Sequence, residues 1–61
     1  MFFNFYYQLE HEGEVFNAMY QLKTENPKEA LNLCKEIAIS TGFPCRATND
    51  AYGFEIMEYP E

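Results

Sequence analysis

The stretch "FFNFYYQLEHEGEVFNAMYQLK", residues 2–23, decides the fold, because its apolar residues recur at every second position on either side of one acidic turn. In residues 2–10 the odd positions are Phe3, Phe5, Tyr7 and Leu9, and the even ones are Phe2, Asn4, Tyr6, Gln8 and Glu10. Period-two alternation is the mark of a strand with one face on a core, so the odd set is expected inward. "EHEGE", residues 10–14, supplies the turn, with Gly13 able to take a positive φ. The second strand is expected from about Val15 to Thr24. There Phe16, Ala18, Tyr20 and Leu22 form the inward set, against Val15, Asn17, Met19, Gln21 and Lys23. The two strands read as a hairpin.

Downstream the period changes to that of a helix. In "ENPKEALNLCKEIAISTG", residues 25–42, Asn26 is placed to cap, Pro27 suits the first helical position, and Glu29 can reach back in a capping box. At 100° per residue Ala30, Leu31, Leu33, Cys34, Ile37 and Ala38 fall on one arc, opposite Lys28, Glu29, Asn32, Lys35 and Glu36. Ile39 projects from the polar side. Gly42 suits the left-handed position that ends a helix, and Phe43 can cover the last turn against Ala38. "CRATNDAYGFEIMEY", residues 45–59, then reads as a second hairpin with its turn within Asn49 to Gly53. Cys45 and Ala47 are expected inward, with Arg46 and Thr48 outward. Phe54 and Ile56 point one way, and Glu55, Met57 and Tyr59 the other.

This β-β-α-β-β order predicts an α+β fold in a single domain over residues 1–61, with a four-stranded antiparallel sheet and one helix packed on one face. The favoured strand order is 2-1-3-4; the alternative sets strands two and three side by side as a parallel pair. A single helix covers one sheet face, so the other is wet or docked. Its expected apolar members are Phe2, Tyr6, Met19, Met57 and Tyr59, of residue types enriched at interfaces. These five are candidate residues for a partner or dimer interface.

Sixty-one residues with 48% hydrophobic and 18% aromatic content describe a chain able to fold. A domain of this size buries only about 60% of the surface its unfolded form exposes, so a second copy or a partner is expected. Ten acidic residues against four basic ones give a net charge of -6, and no Lys or Arg precedes Lys23. That balance argues against ligands carried by phosphate backbones or anionic membranes, which recruit cations. A protein partner with a basic surface fits better. Glu10, Glu12 and Glu14 at the hairpin tip, with Glu55 and Glu58 near the other end of the chain, are the candidate recognition charges. The opening "MFFNFYYQLE" lacks a positive leader region, no apolar run reaches the ~18 residues of a membrane span, and a cytoplasmic location is expected.

Chemistry has little footing in these residues. His11 among Glu10, Glu12 and Glu14 reads as solvated charge rather than a metal site, because consecutive tip residues do not converge on one point. The sole His lies in the acidic turn and Ser40 at a helix end, with no base held near a nucleophile, so neither catalysis nor a cofactor is expected. Gly13, Gly42 and Gly53 are isolated and make no phosphate loop. Cys34 and Cys45 lack zinc or redox spacing, and Cys34 reads as a buried small hydrophobe; a bridge between the two is the alternative. An aromatic sheet face could stack single-stranded nucleic acid, but Arg46 is the lone cation expected on it. "NPKEALNLCKEIA" after a hairpin is similar to part of the fold of HicB-type antitoxins; the second hairpin departs from that pattern, and no site residue is carried over.

The reading is therefore a non-enzymatic acidic protein-binding module, an inhibitor or regulator docking on the basic, nucleic-acid-binding surface of a partner, as a phage anti-defence protein or nucleic-acid mimic would. The alternative is a structural homo-oligomer or accessory subunit without inhibitory role. A single-stranded nucleic-acid binder is the third and weakest reading.

Overall fold

The computed structural model describes residues 1–49 and the backbone of 54–59, with Tyr59 the one side chain described beyond residue 49. Strands β1 (Phe2–His11) and β2 (Glu14–Lys23) pair antiparallel from Phe2↔Lys23 to His11↔Glu14. Two residues join them, Glu12 at φ 52° and Gly13 at φ 80°. Positive φ at both positions is the geometry whose twist matches that of the strands it connects. Glycine takes it without penalty, whereas Glu12 sits there at a cost of roughly 1–2 kcal/mol. Beyond the strand ends, the Thr24 N–H donates to the Met1 carbonyl at 3.0 Å. This bond sets the phase of the ladder: even positions of β2 exchange hydrogen bonds with odd positions of β1, and odd positions of β2 turn their backbone groups away from the sheet.

Helix α1 (Pro27–Thr41) starts and stops on the expected residues. The Asn26 side chain accepts from the Lys28 N–H at 3.0 Å with Asn26 itself in an extended conformation, and Gly42 at φ 79° donates its N–H to the Ala38 carbonyl at 2.9 Å. The capping box takes a relayed form. Instead of Glu29 meeting the Asn26 N–H directly, the Thr24 hydroxyl oxygen accepts from that N–H at 3.1 Å, and the hydroxyl donates to Glu29 Oε2 at 2.7 Å. Strand β3 (Cys45–Asn49) returns antiparallel to β1, from Phe3↔Asn49 to Tyr6↔Arg46. The backbone of β4 (Phe54–Tyr59) runs antiparallel along the far side of β3.

The chain is thus α+β, an antiparallel sheet with one helix on one face. Among the described residues its core is Phe3 and Phe5 of β1, Ala30, Cys34 and Ala38 of α1, and Cys45 and Ala47 of β3. Small residues on the helix face let α1 approach the sheet closely, and the two phenylalanines fill the space between. Leu33, Ile37, Leu22 and Tyr7 close the rim, half-buried.

Several expectations need correction. Leu9, Phe16 and Tyr20, read as inward, are 42%, 48% and 48% exposed, and Leu31 is exposed at the edge of the helix face. Their parity is right; what fails is cover, because α1 packs mainly across β1, β3 and β4 and leaves β2 largely uncovered apart from Ala18 and Leu22. Asn49, placed at the start of a turn, is instead the buried last residue of β3, and the rest of that turn lies outside the described residues. Tyr59, assigned to the outer face, packs half-buried against the core on the helix side, with Lys35 Nζ 5.9 Å from its ring centroid. The cause is an irregularity between Ala47 and Thr48. Ala47 pairs with Met57 but Thr48 with Glu55, so one residue of β4 is skipped and parity inverts beyond it. Met57 accordingly holds a register position opposite buried Ala47, not one opposite an outward residue. Its side chain, like those of Phe54 and Ile56, lies outside the described residues.

Candidate protein-docking surface

Strand and helix advance at different rates, and the mismatch builds the surface. At roughly 3.3 Å per residue a ten-residue strand spans about 33 Å, while a fifteen-residue helix at 1.5 Å per residue spans about 22 Å. Strand β3 pairs with β1 only over Phe3 to Tyr6. From Tyr7 to Ala18 the hairpin therefore continues as a two-stranded ribbon, and the molecule measures 36 × 18 × 17 Å.

The outer face of this hairpin is a ladder of cross-strand rungs. Phe2 opposes Lys23, whose Nζ lies 5.6 Å from the ring centroid of Phe2. Next, Gln21 Nε2 donates to Asn4 Oδ1 at 3.0 Å; then Tyr6 opposes Met19, and beyond them Gln8 Nε2 donates to Asn17 Oδ1 at 3.4 Å. The apolar Tyr6–Met19 rung thus stands between two amide rungs, and Met19 is 59% exposed. On the opposite, helix-side face Leu9 opposes Phe16, and Tyr20 sits with its ring centroid 6.4 Å from that of Phe5, at the margin of the core. Tyr20 and Val15 complete the exposed apolar set of β2.

At the tip Glu10, His11, Glu12 and Glu14 are all exposed. Beside them, His11 Nε2 lies 3.7 Å from Glu12 Oε1, a pairing that requires the protonated ring. No cluster of three or more His, Cys, Asp or Glu suited to a metal ion occurs among the described residues. Where β3 begins, Pro44 and Arg46 face the ribbon across an open notch of about 590 Å³ that Tyr6, Tyr7, Gln8, Asn17 and Ala18 line from the other side.

Of the expected interface residues, Tyr6 and Met19 come together on one rung and Phe2 lies two rungs away, whereas Tyr59 lies on the other side of the sheet. Glu55 and Glu58 hold register positions opposite Thr48 and Arg46. Phe16, Tyr20 and Leu9 were missed as surface residues, and Val15, expected outward, is exposed but was not among the interface candidates. The signal that finds them is arithmetic: two ten-residue strands outreach any helix of fifteen.

Neither cysteine presents its thiol to solvent. Both are buried and unbridged, and the Cys34 thiol donates to the Cys45 carbonyl at 3.2 Å. Burial first, then the adjacent Cys34, pushes the Cys45 thiol up to about 12. No described helix is long and apolar enough to cross a membrane. No family model, curated protein or solved structure matches the chain.

Proposed function

We propose that the chain is a non-enzymatic, acidic protein-binding module, an inhibitor or regulator that docks on a basic, nucleic-acid-binding surface of a partner protein, as a phage anti-defence protein would. The observation that carries this reading is the ribbon: it presents the Tyr6–Met19 rung, Val15, Phe16 and Leu9 to solvent and ends in three glutamates and a histidine. Apolar anchors beside a one-signed charge cluster are what a cationic protein surface recognises, the anchors slowing release and the charge guiding approach. The net charge of -6 extends the same field over the whole molecule. The reading takes the chain to act in the cytoplasm, in keeping with two unbridged cysteines.

A pull-down from the source cell tests it with three baits: the wild type, Glu10, Glu12 and Glu14 all changed to Gln, and Tyr6→Ser with Met19→Ser. A basic protein retained by the wild type at low salt and lost with either variant supports the reading. Retention of the same proteins by all three baits contradicts it. Single-stranded nucleic-acid binding, the weakest alternative, predicts saturable binding of a labelled oligonucleotide that salt abolishes.

A further inference from the structure

Strand β2 borders the sheet along its full length, with β1 on one side and no described strand on the other. Its ten residues, EVFNAMYQLK, contain no proline and no bulge against β1, and the lone lysine comes last. Natural edge strands normally carry such features to prevent pairing with another chain. The phase established above turns the backbone N–H and C=O groups of Val15, Asn17 and Met19 outward. Val15, Phe16, Met19 and Tyr20, all exposed, surround them.

We propose that β2 pairs antiparallel with β2 of a second copy of this chain, about a two-fold axis at Met19, so that one sheet runs through both copies. The register follows from two requirements. Outward backbone groups belong to odd positions, so an odd residue must oppose an odd one, which leaves two registers of greatest overlap: centred on Met19 or on Ala18. Centring on Ala18 sets Glu14 opposite Leu22 of the second copy on the helix-side face. Centring on Met19 instead sets Phe16 opposite Leu22 and Ala18 opposite Tyr20 on that face, each twice by symmetry. A small residue then faces a large one, and two apolar side chains face each other. On the outer face Asn17 opposes Gln21, amide to amide, and Met19 meets its own copy. Cross-strand pairs of these kinds each stabilise a sheet, and Phe16 and Tyr20, bare in one copy, gain cover from the other. The two acidic tips fall at opposite ends of the dimer, clear of each other and of the joint. The acidic tips stay available for docking, but Val15, Phe16 and Met19 belong to both surfaces, so in the dimer Tyr6 and Leu9 are the anchors left to the docking reading.

Two measurements test it. Sedimentation should give a mass twice the 7.2 kDa of the chain as concentration rises. Over the same range the amide protons of Val15, Asn17 and Met19 should become protected from exchange, while those of Phe16 and Ala18, bonded within the hairpin, stay protected throughout. Asn17→Lys with Gln21→Lys sets lysine opposite lysine twice and should raise the dissociation constant about fivefold or more. Asn17→Glu with Gln21→Lys, at the same two positions, should restore or tighten it. A monomer at the concentration of an NMR sample would overturn the proposal. So would a dimer whose Asn17 and Met19 amides exchange freely, which would place the joint elsewhere, or a failure of the Glu/Lys pair to restore association, which would exclude this register.

Discussion

Thr24 holds the start of α1 to the end of β2 through one hydroxyl, which accepts from the Asn26 N–H and donates to Glu29. Asn26→Ala removes the cap on the Lys28 N–H and should lower stability by about 1 kcal/mol in urea unfolding. Thr24→Val should lower it by a similar amount, about 0.5–1.5 kcal/mol, because the relay then loses both of its bonds. At Cys45 the direction of a pH effect follows from the raised pKa. The folded state keeps its proton until about 12, while the unfolded thiol releases one near 9.0, so folding binds the proton more tightly. That contribution is complete below pH 9.0 and is lost as pH rises toward 12. Thermal melts should therefore shift downward above pH 9.0, and Cys45→Ala should flatten that limb. Neither thiol should react with an aromatic disulfide reagent at neutral pH until the protein unfolds.

At the scale of elements, the hairpin has a buried half and a presented half, although the two carry the same alternation. Phe5 is 0% exposed and Phe16 is 48% exposed. Phe5→Ala should lower stability by about 3–5 kcal/mol, enough to unfold so small a domain, whereas Phe16→Ser in the monomer should change it by about 0.5 kcal/mol or less. Equal losses at the two positions would mean that the ribbon is packed and not presented. The contrast also marks how far a sequence can be read. Caps and periodicity are local, so the ends of α1 and the parity of β1 and β2 were legible from residues 2–42 alone. Cover is not local: nothing in "LEHEGEVF" states that the helix sits over β1 and β3 and stops short of Leu9 and Phe16. The parity of β4 fails for a related reason, since the skipped residue opposite Ala47 and Thr48 is a property of two strands together, and it carries Tyr59 to the helix side. The acidic, aromatic hairpin was visible as a candidate surface, but its extent became clear only with the positions of α1 and β3.

At the scale of the whole molecule, seven buried apolar residues among those described make a small core, and Phe2, Tyr6, Phe16 and Tyr20 stay exposed outside it. A domain built this way has more contact surface than its own fold uses, and a net charge of -6 biases what that surface meets. Self-repulsion among Glu10, Glu12 and Glu14 should make their neutralisation neutral or slightly stabilising to folding, so any binding defect of the triple Gln variant reports recognition and not loss of structure. Complementary charge acts chiefly on the rate of encounter, and anchors act on the rate of release. The most direct measurement is therefore the association rate constant with the protein captured by the wild type, followed against ionic strength for the wild type and for the triple Gln variant. The account predicts about tenfold slower association of the variant at low salt, rates that converge at high salt, and little change in dissociation. Equal association rates at low salt would contradict it and reduce the acidic tip to a solubilising turn.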